Sequence, residues 1–123
     1  MRSKAIWIVA ALAVCGVVAM AGTALASAAN TSVSIHAQSG GFFGYVHSSK
    51  QAKCENGRKV ALYKQTGDNH NLRNDTKIDT DIAQPNGPDS MWSINTNRQG
   101  RFYAHVGSTP DCKPDFSRTV HSE

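Results

Sequence analysis

The sequence predicts an all-β domain, an antiparallel sandwich of about seven strands, preceded by a signal peptide. Three observations predict it. Apolar residues alternate with polar ones at a period of two in several windows. Breaks rich in Gly, Asn and Pro separate those windows. No window carries an apolar stripe at helical spacing with caps.

The elements follow in order. In "TSVSIHA" (31–37), Val33, Ile35 and Ala37 alternate with Ser32, Ser34 and His36. "FFGYVHS" (42–48) is aromatic and β-branched and follows the Gly40-Gly41 break. "RKVALYK" (58–64) sets Val60 and Leu62 against Ala61 and Tyr63. "TKIDTDI" (76–82) puts Ile78, Thr80 and Ile82 on one side and charge on the other. "SMWSINT" (90–96) offers Trp92 and Ile94, and "RFYAHVG" (101–107) offers Phe102, Ala104 and Val106. "SRTVHS" (117–122) supplies Thr119 and Val120 for the last strand. Between them stand "SGG", "ENGR", "QTGD", "QPNGPD", "NRQG" and "GSTPD", where Gly supplies positive φ and Pro presets it. Val33, Ile35, Val60, Leu62, Trp92, Ile94, Phe102 and Val106 are the expected core between two sheets.

The first 26 residues are of another kind. Arg2 and Lys4 precede an uncharged apolar run from Ala5 to Ala26 that ends in the A-x-A triplet Ala24 to Ala26. This is the pattern of a cleaved secretory signal, leaving residues 27–123 as the domain. The alternative is a retained membrane anchor, since the run is long enough to span a bilayer. A lipoprotein site at Cys15 fits less well, because Val14 stands where a small residue is preferred. The full chain carries +4, but Arg2 and Lys4 lie in the signal. Eleven basic and nine acidic residues then remain, a net charge of +2, with the signs interspersed. Nucleic acid and anionic membranes need one-signed clusters, so neither is an expected partner.

The domain retains two cysteines, Cys54 and Cys112. An even count in an exported chain reads as one disulfide, and free thiols or a metal pair are the alternatives. The closed loop would contribute roughly 4 kcal/mol in the chain-entropy model.

The order "GGFFGYVHS", "CENGRKVALYKQTG", "DTKIDTDIAQPNG", "MWSI", "GRFYAHVGST", second cysteine, "SRTV" resembles small secreted β-sandwich domains of actinobacteria, of the prealbumin-like group. That group includes transthyretin-like, carboxypeptidase-regulatory-like and collagen-adhesin B-type modules. The resemblance rests on Phe42, Gly44 and Val46, on Gly57 to Tyr63, and on the two cysteines, and it spans residues 33–121. It implies the sandwich fold, which in that group hosts carriers, stalks and adhesin modules alike. Some members carry a Lys–Asn isopeptide bond, but here the first strand has no lysine and residues 117–123 no asparagine.

No catalytic constellation is expected, as the chain has no G-x-S-x-G elbow and bridged cysteines are no nucleophiles. His36, His47, His70, His105 and His121 show no ligand spacing, and "DTKIDTD" lacks the glycine of a calcium loop. No metal or cofactor is therefore expected. Asp75, Asp79 and Asp81 read as a solvated strand edge. Tyr45, Tyr63, Trp92 and Tyr103 could stack on sugar rings, and of these Tyr63, Tyr103 and Trp92 are the candidate binding surface if they face outward. The expected function is a secreted or cell-surface, non-catalytic module with a structural or interaction role. A carbohydrate- or cell-wall-binding module is the alternative, and a small metal-dependent hydrolase a more distant one. The ligand would be an extracellular protein or glycan, with membrane contact only through an uncleaved signal.

Overall fold

Period-two alternation gives each strand one apolar side, and the chain buries those sides between two antiparallel sheets. The computed structural model describes residues 27–123, so the signal segment and Cys15 lie outside the described residues. The strands are β1 Ser32–Val33, β2 His36–Gln38, β3 Gly41–His47, β4 Lys59–Lys64, β5 Thr76–Ile82 and β6 Gln84–Asn86. They continue as β7 Asp89–Asn95, β8 Gly100–Val106, β9 Asp115–Phe116 and β10 Val120–Ser122, with one helix among the described residues, α1 Gln51–Cys54. Sheet I runs β1-β3-β7-β6, with β2 also on β3; sheet II runs β10-β8-β4-β5, with β9 also on β8. Among the described residues no helix is long and apolar enough to cross a membrane.

All seven expected strands form, but the first is broken at Ser34, and the last shortens to β10 and is preceded by an unexpected β9 that ends just before Ser117. Val33↔Val46 and His36↔Phe43 keep one register, yet between them the Ser34 carbonyl turns away to accept the Trp92 indole N–H at 3.1 Å. The Ser34 hydroxyl takes its place, accepting from Tyr45 N at 3.0 Å. On the other sheet Ser117 Oγ accepts from Ala104 N at 2.8 Å and separates β9 from β10. A short polar side chain can satisfy a ladder donor in this way.

These two broken edges face each other and are joined. Val33 N donates to Asp115 at 2.8 Å, and Arg118 Nη2 donates to the Ile35 carbonyl at 3.2 Å. Along the opposite side the chain leaves sheet II and enters sheet I through the buried Ala83, and Ser93 N donates to Asp81 at 2.8 Å. Each edge thus satisfies part of its main-chain hydrogen bonding with the other sheet, which blunts it against strand addition.

The eight expected core residues are all buried, together with Phe42, Val46, Ala104 and Val120. Phe42 and Phe102 meet across the two sheets with centroids 4.7 Å apart. Three features differ from the expectation. First, Leu62 pairs with Asp79 but Tyr63 with Lys77, so Ile78 is an extra residue in β5. This bulge flips the alternation: Ile78 packs on the core while Ile82 is 43% exposed, so the two do not share a side. Second, "QPNGPD" is a hairpin and not only a turn. β6 pairs with β7 around Gly87-Pro88, and Gly87 has φ of 69°. Positive φ before a proline is the requirement of a type II′ turn, whose first central residue is usually Gly. Third, "QAKC" makes one helical turn, too short to leave a periodic signal.

Cys54 ends that turn and is bonded to Cys112 in the β8–β9 connection, with Cα atoms 5.6 Å apart. The bridge sits at one end of the sandwich. There Ala29 also pairs with residues 111–113, donating to Asp111 O at 2.9 Å and accepting from Lys113 N at 2.8 Å.

Candidate functional site

The candidate aromatic surface is not a surface. Tyr63, Tyr103 and Trp92 are 8%, 0% and 0% exposed. Trp92 lies on the inner side of β7 and is tethered by its indole to Ser34. Tyr63 and Tyr103 do point to the outer side of sheet II, directly opposite each other and stacked at 5.5 Å and 9°. The connection between β4 and β5 folds over Tyr103. His70 stacks on Tyr103 at 4.0 Å, with Phe116 beside it at 5.3 Å from His70.

Asp75 holds that connection in place, which corrects its reading as a solvated strand residue. Its carboxylate accepts from Thr66 N and Oγ1, both at 2.9 Å, from Asn71 N at 2.8 Å and from Tyr103 Oη at 2.6 Å. Burial alone would raise its pKa. The four donors, Tyr103 first, outweigh burial and hold it at about 2. Burial, reinforced by Asp75, pushes the Tyr103 phenol well above the usual range.

A groove of about 490 Å³ remains beside this cover, lined by Tyr63, Lys77, His105 and Ser108 among others. Burial lowers the His105 pKa, with Asp115 opposing and Lys77 adding to that effect. His36 and His105 lie in different sheets and are not neighbours.

The outer side of sheet I carries Tyr45, which the sequence offered among the stacking rings, together with His36 and Phe43, which it did not. His36 on β2 is exposed, and Phe43 and Tyr45 on β3 are half-buried. His36 stacks on Phe43 at 5.1 Å and 30°, and Tyr45 stands edge-on to Phe43 at 6.2 Å and 87°. Met91 and Ser93 lie opposite Tyr45 and Phe43 on β7. The signal was present in "FFGYV": with Phe42 facing in, Phe43 and Tyr45 must face out.

At the end of that same face the chain gathers three ionisable side chains. His47 closes β3, Asp89 opens β7, and Glu55 follows α1. His47 Nδ1 is 2.6 Å from Asp89 Oδ1 and 3.4 Å from Glu55 Oε2. The His47 side chain is 63% exposed and the Glu55 side chain 1%. Glu55 Oε2 accepts from Ser48 N at 2.7 Å, whereas Oε1 is buried with no partner among the described residues. The scaffold is tied down around them. Gln51 Nε2 donates to the carbonyls of Gly87 and Pro88, both at 3.2 Å, and Ser90 Oγ meets Asn56 Oδ1 at 2.6 Å. Positions 47, 55 and 89 have no common local spacing: the register of β3 on β7 sets His47 beside Asp89, and the turn after α1 brings Glu55 to them.

Compared with protein-family models, with curated proteins and with solved structures, the chain matches none of them.

Proposed function

We propose that this chain is an exported, non-catalytic interaction module of prealbumin-like type that engages its partner through the outer face of sheet I. The observation that carries the reading is the ring cluster His36, Phe43 and Tyr45, partly exposed together on the outer face of sheet I. On sheet II, by contrast, Tyr103 is covered by His70 of the β4–β5 connection, and Phe116 is the exposed ring there. Partly exposed aromatics grouped on one face are a contact feature, because burying them on a partner is favourable at little entropic cost. The disulfide supports an oxidising compartment.

The geometry also favours a second, narrower reading in which the partner is a glycan. Sugar rings present apolar C–H faces to aromatic planes, and the nearby Gln38, Ser93 and Gln84 side chains are exposed and able to bind hydroxyls. The test uses residues 27–123 in co-sedimentation with insoluble cell-wall polysaccharide and in binding to intact cell-surface protein fractions. Phe43→Ala or Tyr45→Ala should weaken binding by roughly tenfold, about 1.4 kcal/mol, while Leu72→Ser on the other side should not. Equal binding by the Phe43→Ala/Tyr45→Ala double variant would end the proposal for this face. Release of soluble sugar during incubation would end the non-catalytic part of it.

A further inference from the structure

We infer that His47, Glu55 and Asp89 form a binding site for a first-row divalent metal ion, of which Zn²⁺ is the natural probe. The inference stands apart from the aromatic face. Three observations carry it. One ligand atom from each residue lies within 4.8 Å of the other two, on three separate segments. The donor set is one imidazole nitrogen and two carboxylates, a mixture suited to zinc and its neighbours rather than to calcium. The third observation is independent of that clustering. Glu55 is buried, its carboxylate is directed at His47 and Asp89, and its Oε1 has no partner. A buried carboxylate with a single donor, Ser48 N on Oε2, is costly as an anion, and a cation held by that carboxylate neutralises its charge.

The geometry needs little adjustment. Zinc holds ligands at about 2.0–2.2 Å, which sets their mutual separations near 3.4 Å. His47 Nδ1 and Glu55 Oε2 already stand 3.4 Å apart. The 2.6 Å between His47 and Asp89 must open, by rotation of the Asp89 side chain, which is 32% exposed beside a hairpin turn. Glu55 is held by Ser48 N, and the hairpin carrying Asp89 is held by Gln51 and Ser90, the kind of outer support that fixes metal ligands. With three protein ligands and an exposed histidine, a fourth position faces solvent, which is the arrangement of an open site.

The experiment titrates Zn²⁺ into residues 27–123 by calorimetry and follows the histidine ring signals by NMR. Wild type should bind one ion and shift the His47 signals. His47→Gln and Asp89→Asn both alter exposed or half-exposed side chains and should fold. Each should weaken binding by roughly tenfold or more. His36→Gln and His121→Gln should bind as wild type does. No saturable binding, or undiminished binding in Asp89→Asn, would overturn the site. So would a shift confined to other histidines. Glu55→Gln tests the third ligand, and its thermal unfolding without zinc reports separately whether it folds.

Discussion

A single methyl group shows how tightly the β1–β2 edge is fitted. A Cβ on Gly44 would stand 1.9 Å from the Ser34 carbonyl oxygen and 2.7 Å from Trp92 Nε1. Gly44 pairs with Trp92 on the neighbouring strand, and the indole reaches past it to Ser34. Gly44→Ala must therefore displace main chain and break the one hydrogen bond of a buried indole. Overpacking and an orphaned donor each cost about 1–3 kcal/mol, so a loss of roughly 3 kcal/mol is expected. For a domain of this size that lowers Tm by on the order of 15 °C. Gly67→Ala is the control, because nothing lies within 4 Å of its added Cβ. Calorimetric Tm values that agree for the two variants would refute the role of Gly44. The sequence displayed F-x-G-x-V but not the reason for the glycine. That reason depends on a carbonyl ten residues away and an indole on another strand.

At the scale of elements, the β4–β5 connection is a cover held by one carboxylate. Asp75 titrates at about 2 in the folded chain against an ordinary 3.8. A depressed folded pKa stabilises the fold above the unfolded value and ceases to do so as pH falls through the folded one. The difference corresponds to about 2 kcal/mol, fully present above pH ~4 and lost between pH ~4 and ~2. Asp75→Asn should destabilise the domain by a similar amount at neutral pH and flatten this acid dependence in urea unfolding. It turns an amide N–H₂ toward at least one donor that the carboxylate had satisfied. An unaltered acid limb would mean that other carboxylates govern it. This element also marks where sequence reading stops. Alternation correctly put Tyr63 and Tyr103 on the outer side of their strands. Whether an outer side is wet depends on a loop with no periodicity, and in "QTGDNHNLRND" His70 and Leu72 stand among turn and charged residues with no spacing that announces a roof. The same limit applies to the bulge at Ile78, which reverses the sides of β5 without any local mark, and to Glu55, which reads as a turn residue and is fully buried.

For the whole molecule, the strands, their core residues and the disulfide were legible because each leaves a local or countable trace: a period of two, or a pair of cysteines. The way one end is closed was not. Arg58 is buried, and its guanidinium donates to Thr31 Oγ1 and Cys54 O, both at 3.0 Å, to Gly107 O at 2.7 Å and to Lys113 O at 3.3 Å. These acceptors are neutral, and desolvation lowers the Arg58 pKa. The guanidinium joins the segment before β1, α1 and the β8–β9 connection, and the disulfide joins the last two of these. The two ties act on different states. Arg58 holds the folded arrangement, whereas a cross-link over a separation of 58 residues chiefly restricts the unfolded chain. The Cys54→Ala/Cys112→Ala variant, which avoids burying unpaired hydroxyls, should therefore keep the wild-type circular dichroism and histidine NMR signals at 25 °C. It should nevertheless lose about 4 kcal/mol in denaturant unfolding and on the order of 20 °C in Tm. Arg58→Met should do the reverse, disturbing the native signals of residues 29–31 and 107–113 even with the bridge intact, because it leaves four carbonyl or hydroxyl acceptors without a donor. A bridge-free variant with altered native signals would show that the disulfide shapes the fold as well as limiting its unfolding, and an unchanged Tm would show that it does neither.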